Sequence, residues 1–308
     1  MNMKKKITVI GSSNVDFLIK TNRLPRMGET ITDGVFMQTY GGKGANQALS
    51  ASRSGGKVTF ISSLGTDDYA GTMVRNFNAE GIDTRFMYKK KDAATGTAMI
   101  MLDREGNNYI TVAPEANYLL TPACIDAALN VLLESEIIVL QMEIPWETTE
   151  YIYSLAKKHK LKIQFNLAPF RPFDDKVLKD TWVLAVNETE AEGITGLQVV
   201  TDDDVRNAAR ALVDLGAEHV IITLGAQGAV AATRDRFLEV PAFSVDSVDT
   251  TAAGDVFCGS LAVALSEGRS MPDALRFAAA ASAISVTRLG AQPSIPHRKE
   301  IDTFLESS

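Results

Sequence analysis

Residues 248–260, VDTTAAGDVFCGS, decide how the rest of the chain is read. A short polar turn carrying Asp249 and Asp255 passes through Ala252, Ala253 and Gly254 into an apolar run that favours helix. Small residues at such a junction let backbone approach a ligand that bulky side chains would hold off. The first N–H groups of a helix starting there lack intrahelical partners, and the positive end of its dipole lies behind them. That is an anion site, and phosphate suits it. An acid beside an anion is repelled unless it acts there: Asp255 stands where a carboxylate can take the proton of a hydroxyl attacking the phosphate. The competing explanation is an ordinary acidic first turn, where Asp is favoured in any helix.

Outward from this stretch, strands and helices alternate. A β-rich run at 6–11, a strand at 58–64 and a helix at 69–80 come first. From 121 the pattern is regular: helix 122–135, strand 137–142, helix 146–160, strand 162–166, strand 182–186, helices 190–195 and 203–215, and strand 219–224. Downstream, 270–289 opens with Ser270, Pro272 and Asp273, which is helix-start chemistry, and its Ala- and Ser-rich middle at 278–285 suits close packing. The alternation predicts an α/β fold with a mainly parallel sheet covered on both faces. Ligands of such sheets sit beyond the carboxyl ends of the strands, where Glu143, Asn166, Asn187, Glu190 and Thr223 fall.

Two segments interrupt the pattern. Residues 17–40, punctuated by Pro25, Gly28 and Gly34, read as a small antiparallel sheet, and strands 96–102 and 108–112 flank the hairpin turn 103–107. Together they predict a lid inserted at about 16–41 and 97–113. Asn14 and Asp16, two residues apart, point the same way in an extended chain, which suits a polyhydroxylated ligand; turn chemistry explains the same pair. Next comes GGKGANQA at 41–48, where Gly42 permits close approach and Lys43 and Asn46 offer donors near a helix start. Gly44 follows Lys43 where a Walker loop needs Ser or Thr, and no GxGxxG follows the first strand, which argues against a dinucleotide fold.

Composition removes other classes. The 308 residues suffice for one large α/β domain, and 45% hydrophobic residues supply its core. A formal charge of −7 disfavours nucleic acid, which needs a basic face. No apolar run reaches the roughly 18 residues of a membrane span, and ITVI behind the basic start is too short for a signal peptide. Cys124 and Cys258 make no disulfide framework, and three histidines make a His-rich metal site improbable. The expectation is a cytoplasmic protein.

The combination resembles the ribokinase-like family of carbohydrate kinases along nearly the whole chain: SSNVD, GGKGANQA, the hairpin, LQME, NETE, TLGAQG, DTTAAGD and TRLGAQPS, in that order. The GGKGANQA and DTTAAGD pair is the specific part, and NETEAE strengthens it. The resemblance implies a three-layer α/β body with a small β-sheet lid that covers a sugar and often mediates dimerisation. It further implies ATP-dependent phosphorylation of D-ribose at the 5-hydroxyl. In that reading Asp255 is the base, and the backbone of Ala252, Ala253 and Gly254 is the hole for the γ-phosphate. Asn14, Asp16, Gly42, Lys43 (by backbone more than charge), Asn46 and Glu143 surround the sugar, while Asn187, Thr223, Gly225 and Gly228 line the ATP site. Glu190 helps hold Mg²⁺ through water. Asp249, Thr251, Ser285, Arg288, Gly290 and Ser294 match positions that bind K⁺, largely by carbonyls.

Departures from the family pattern are Ala252, where many members carry Gly, Ala279 beside the expected adenine pocket, and VAPEAN at 112–117, whose Pro114 and Glu115 bear on lid closure. Phe17, Ala98 and Ile110 are expected to add apolar walls to the sugar site. Among acceptors, 2-deoxyribose is the main rival. An apolar residue at position 14 would favour it, and Asn14 favours ribose, because a site built for a hydroxyl penalises the analogue without one. A non-catalytic sugar-binding regulator is the remote alternative, and it would be expected to lack Asp255 or the anion hole.

Overall fold

The computed structural model describes residues 6–105 and 107–308; the basic start at 1–5 and Gly106 of the predicted hairpin turn lie outside the described residues. Along the chain, β1 (Lys6–Ile10) is followed by β2 (Asn14–Lys20), β3 (Val35–Gly41), α1 (Lys43–Arg53), β4 (Lys57–Leu64), α2 (Asp68–Ala79) and β5 (Asp83–Lys89). Then come β6 (Gly96–Leu102), β7 (Asn108–Ala113), α3 (Pro122–Ala127), α4 (Leu129–Leu133), β8 (Ser135–Leu140), α5 (Trp146–His159) and β9 (Ile163–Asn166). The remainder is β10 (Val183–Asn187), α6 (Glu188–Thr195), α7 (Asp202–Asp214), β11 (His219–Thr223), β12 (Ala229–Ala232), β13 (Phe237–Val240), α8 (Ala253–Ser266), α9 (Met271–Val286) and α10 (Arg298–Glu306).

Nine strands form the main sheet in the order β13-β12-β11-β10-β9-β8-β1-β4-β5. All neighbours are parallel except at β12, which runs against both β11 and β13. Successive side chains of a strand alternate between faces, and here both faces are apolar. Ile7, Val9, Ile137 and Val139 join one core, closed by α1, α2, α8, α9 and α10. Ile10, Ile138 and Leu140 join a second core on the opposite face, closed by α3 to α7. Their near-continuous apolar runs are the mark of strands buried on both sides.

Four strands form a separate small sheet, β3-β2-β6-β7. It is mixed rather than antiparallel throughout: β2 pairs with β6 in parallel, Asn14 opposite Gly96. The reason is that β2 and β6 both leave the body at the same edge, the chain having returned through α1 to β5 in between. The register places Asp16, Thr39, Ala98 and Val112 on one face, with Ile110 further along it. Phe17 projects from the other face, stacking on Phe36 and meeting Tyr69 of α2 edge-on, with centroids 6.0 and 5.9 Å away. The expectation that Phe17 shares a ligand wall with Ala98 and Ile110 is therefore corrected by strand alternation: Phe17 anchors the small sheet to the body.

The predicted single helix at 122–135 is two. Ala128, itself fully buried, leaves helical geometry at φ −104° and ψ 6°. Strands β5, β12 and β13 and helix α10 are additions to the expected elements. Among the described residues, no helix is long and apolar enough to cross a membrane.

Candidate active site

Helices α1 and α8 cross closely on one face of the main sheet. Gly259 permits it, since a Cβ there would stand 2.6 Å from Ser50 Cβ, and the Ser50 hydroxyl donates to Val256 O at 2.8 Å. The crossing carries two consecutive amides of α1 to Asp255, in the first turn of α8. Asn46 Nδ2 donates to Asp255 Oδ2 and Gln47 Nε2 to Asp255 Oδ1, each at 2.9 Å. The carboxylate, 6% exposed, is thus held in one orientation. Asn46 Oδ1 is buried without a partner, an open acceptor next to that carboxylate.

The amides behind Asp255 form a chain whose direction has one origin. Asn166 Nδ2 donates to the carbonyl of Ala185 at 3.1 Å, so its Oδ1 faces Gln47 Nε2 at 3.0 Å. Gln47 Oε1 then accepts from Gln141 Nε2 at 2.7 Å. Gln47 and Gln141 are fully buried. Sequence reasoning missed both, although Gln47 lies inside GGKGANQA and Gln141 inside LQME.

At the start of α1, Gly42 sits at φ 90°, a conformation that side chains rarely adopt. A Cβ on Gly44 would stand 2.6 Å from backbone atoms of Gly11 and Ser12, so the helix end lies flush against the β1–β2 connection. Glu143 closes this junction: its Oε2 accepts from the Lys43 N–H at 2.9 Å and from the Ser12 hydroxyl. The backbone donor of Lys43 is therefore engaged, and its side chain lines the large cavity described next.

That cavity, about 710 Å³, is lined by Lys43, Asn166, Asn187, Glu190, Thr223, Gly225, Gly228, the 252–255 segment and Ala279. Apolar side chains, among them Phe243, Val245, Ala283 and Val286, complete one wall. Ala252 holds the left-handed conformation at φ 61°, and no side chain caps α8, which leaves its first-turn N–H groups for a ligand. Asn187 and Glu190 form a capping box: Asn187 Oδ1 accepts from Glu190 N at 2.8 Å, and Glu190 Oε2 accepts from Asn187 N at 2.9 Å. This leaves Glu190 one free oxygen and Asn187 its amide donor.

Asn14 and Asp16 lie at the base of β2, 4% and 8% exposed. Gly41 leaves room for the Asp16 carboxylate, which a Cβ there would strike. Asn14 Oδ1 accepts from Asn117 Nδ2 at 2.8 Å; Asn117, on the short 3-10 turn Glu115–Leu119, was not singled out from sequence. Glu115 itself holds φ 47°.

Charge is concentrated here. Burial pushes the Asp16 carboxyl up to about 7, helped by Glu143 and Asp255. Burial works to lower the Lys43 ammonium, but Asp255, Glu143 and Glu190 outweigh it, so its value is raised and it stays charged. Burial raises Glu190, against the Asn187 N–H and Lys43, which lower it. Burial also raises the Cys258 thiol, which keeps it protonated and inert.

The six positions at 249–294 gather only in part. Asp249 Oδ1 accepts from the Thr251 N–H at 2.9 Å and hydroxyl at 2.6 Å, and Asp249 Oδ2 from Gly290 N at 2.8 Å. Asp249 N donates to Val286 O at 3.1 Å and Arg288 N to Ser285 O at 3.0 Å, which brings those residues to the same loop. The Arg288 guanidinium turns away to Glu300, and buried Ser294 bonds Ala291 O.

Residues 4–298 match the pfkB family carbohydrate kinase pattern. A ribokinase of Haemophilus influenzae is 40% identical over 304 residues, covering 99% of each chain. A deoxyribokinase of Salmonella typhimurium is 38% identical over 300 residues, 97% of this chain and 98% of the relative. The structure of Arabidopsis thaliana ribokinase complexed with ribose and ATP superposes with a TM-score of 0.92 at 31% identity, covering 99% of this chain and all of the other. The chain belongs to the pfkB family of carbohydrate kinases and is an ATP-dependent sugar kinase.

Proposed function

We propose that this kinase phosphorylates D-ribose at its 5-hydroxyl, with Asp255 as the base. The observation that carries the proposal is the Asp255 carboxylate, oriented by Asn46 and Gln47 at the uncapped start of α8, where a phosphate and a hydroxyl can both reach it. Phosphoryl transfer needs little covalent help from protein; in-line positioning and fixed donors supply most of the catalysis. The sugar lies under the small sheet among Asn14, Asp16, Gly42, Lys43, Asn46 and Glu143. ATP fills the large cavity along Asn187, Thr223, Gly225 and Gly228, and the first turn of α8 receives its γ-phosphate. Asp255 then accepts the hydroxyl proton as the bond to phosphorus forms. The small sheet acts as a lid on a single domain, 1–308, and excludes competing water.

Relatives named for ribose and for deoxyribose are about equally similar, so the acceptor is argued from Asn14. Its amide beside Asp16 offers polar partners for a 2-hydroxyl, and a 2-deoxy sugar leaves them unpaired. Mg²⁺ fits Glu190, which keeps one carboxylate oxygen free, since this ion is commonly held by one or two carboxylates plus waters and phosphates. When bound it supplies charge neutralisation for the transferring phosphate. K⁺ fits the loop held by Asp249, Thr251 and Gly290, with Ser285, Arg288 and Ser294 offering carbonyls. The outer part of the small sheet exposes Val35, Phe36, Met37, Tyr109 and Ile110. This supports a homodimer through the lid, and a monomeric mass in solution would remove that part of the reading.

The deciding measurement is initial rate with ATP, Mg²⁺ and K⁺ across ribose, 2-deoxyribose, fructose and adenosine. Ribose is expected to lead, and replacement of K⁺ by Na⁺ to lower the rate. Preference for another acceptor overturns the sugar assignment, and an ion-independent rate removes K⁺.

Asp16 gives a pH test. With its carboxyl at about 7, it is protonated below neutrality and becomes an acceptor for a sugar hydroxyl above it. The KM for ribose is therefore expected to fall as pH rises from about 6 to about 8, and Asp16→Asn to flatten that change. The sign for stability is opposite. The folded value exceeds the ordinary 3.8, so the contribution of Asp16 is greatest in acid and declines as pH climbs from about 4 to about 7. A flat KM profile in the wild type would remove Asp16 as the titrating acceptor.

A further inference from the structure

We infer that Asn117 sets the hydrogen-bond polarity of Asn14 and thereby the preference for a 2-hydroxyl; the inference rests on the proposed ribose site. A side-chain amide can be turned either way, and only partners with a fixed role decide it. Asn117 has two such partners on the same residue. The Ser13 N–H, which can only donate, lies 2.9 Å from Asn117 Oδ1. The Ser13 carbonyl, which can only accept, lies 3.3 Å from Asn117 Nδ2. Both fix Asn117 in one orientation, so the atom it turns to Asn14 is a donor.

Asn14 must answer with its oxygen, and does so at 2.8 Å. Its Nδ2 is then the group left for a ligand, so Asn14 meets the sugar as a donor. Asp16, two residues along the same strand face, meets it as an acceptor. A hydroxyl can accept from one and donate to the other, whereas a C–H can do neither. The pair is confined as well as oriented: Asn14 and Asn117 are 4% and 2% exposed. Gly96 lies against them, and a Cβ there would run into Asn117 Nδ2 and Asn14 Oδ1 together.

Without Asn117, Asn14 is free to turn its oxygen toward the sugar. The donor that rewards a 2-hydroxyl is then lost for much of the time, while binding of a 2-deoxy sugar changes little. Asn117 is in these terms a positioning residue for specificity, acting through Asn14 from an element outside β2.

The test is the ratio of kcat/KM for ribose to that for 2-deoxyribose in the wild type, Asn117→Leu, Asn14→Ala and the double variant. The leucine variant is expected to raise KM for ribose and compress the ratio by about tenfold or more, the worth of one well-made hydrogen bond, with KM for ATP unchanged. In the Asn14→Ala background the same substitution is expected to leave the ratio where Asn14→Ala put it, because the two act as one unit. A purely structural role would lower thermal stability and depress both sugars and ATP alike in either background, which overturns the proposal. If the leucine variant does not fold, Asn117→Ser, which cannot span both Ser13 and Asn14, takes its place with the same expectation. A wild type that prefers an acceptor lacking a 2-hydroxyl refutes the ribose assignment and this inference with it. A wild type that prefers ribose while Asn117→Leu keeps the full ratio refutes the role of Asn117 alone.

Discussion

Asp255→Asn is expected to cut kcat by about 10²–10⁴, the usual share of a general base, with the fold and ATP binding retained. The geometry explains why the lesion should stay local. The new amide must present an NH₂ either to Gln47 Nε2 or to Asn46 Nδ2, both donors in the wild type. Asn46 can resolve the conflict, because its Oδ1 has no partner: a turn of its amide makes it the acceptor. Gln47 has no such freedom, since Gln141 already occupies its oxygen. Thermal stability and calorimetric ATP affinity close to wild type, alongside the loss of turnover, are the expected pattern. Turnover close to wild type would remove Asp255 from the chemistry.

Lys43→Met is expected to lower kcat/KM for ATP by about 10²–10³, the range seen when one group stabilising a developing anion is deleted. Lys43 is the one basic side chain lining the large cavity among the described residues, and it lies in the field of Asp255, Glu143 and Glu190. Its backbone N–H is held by Glu143, so the free contribution of this residue is its charge. Methionine keeps much of the stem volume and removes that charge, leaving three carboxylates around a site that must accept a polyphosphate. Unchanged ATP kinetics would show that the backbone at position 43 is all that matters.

The frame of the molecule was legible because its strands carry apolar residues on both faces and its helices are separated by polar turns. The 6–10 and 219–223 strands and the α5 and α7 helices fall within a residue or two of expectation. What failed was tertiary in origin. Ala128 has good helix propensity, yet the helix breaks there, and nothing local records it. The parallel β2–β6 pairing depends on where the intervening α1 to β5 segment returns.

The site divides in the same way. Residues that line the cavity or bond Asp255 directly, such as Asn187, Glu190 and Asn46, sit in glycine-rich or acid-bearing motifs that stand out in the sequence. Two of the residues that orient the site sit among ordinary neighbours. Gln141 follows an apolar strand and Asn117 lies in the middle of a short 3-10 turn, and only the folded chain shows that one faces Gln47 and the other Asn14. The weight given to the Lys43 backbone over its charge has a related difficulty, since that backbone amide is engaged by Glu143, 100 positions away, and the Lys43→Met kinetics decide between the two.

The amide chain behind Asp255 bears on how such a site can change over generations. The carbonyl of Ala185 fixes Asn166, which fixes Gln47, which fixes Gln141. A substitution at any link leaves a buried donor or acceptor stranded at the next, a penalty of about 1–3 kcal/mol each time. These positions therefore form one heritable unit. Variation can cross it by paired replacements that reverse or remove neighbouring donors together, and descent by single steps is steered toward the parts of the pocket outside the chain.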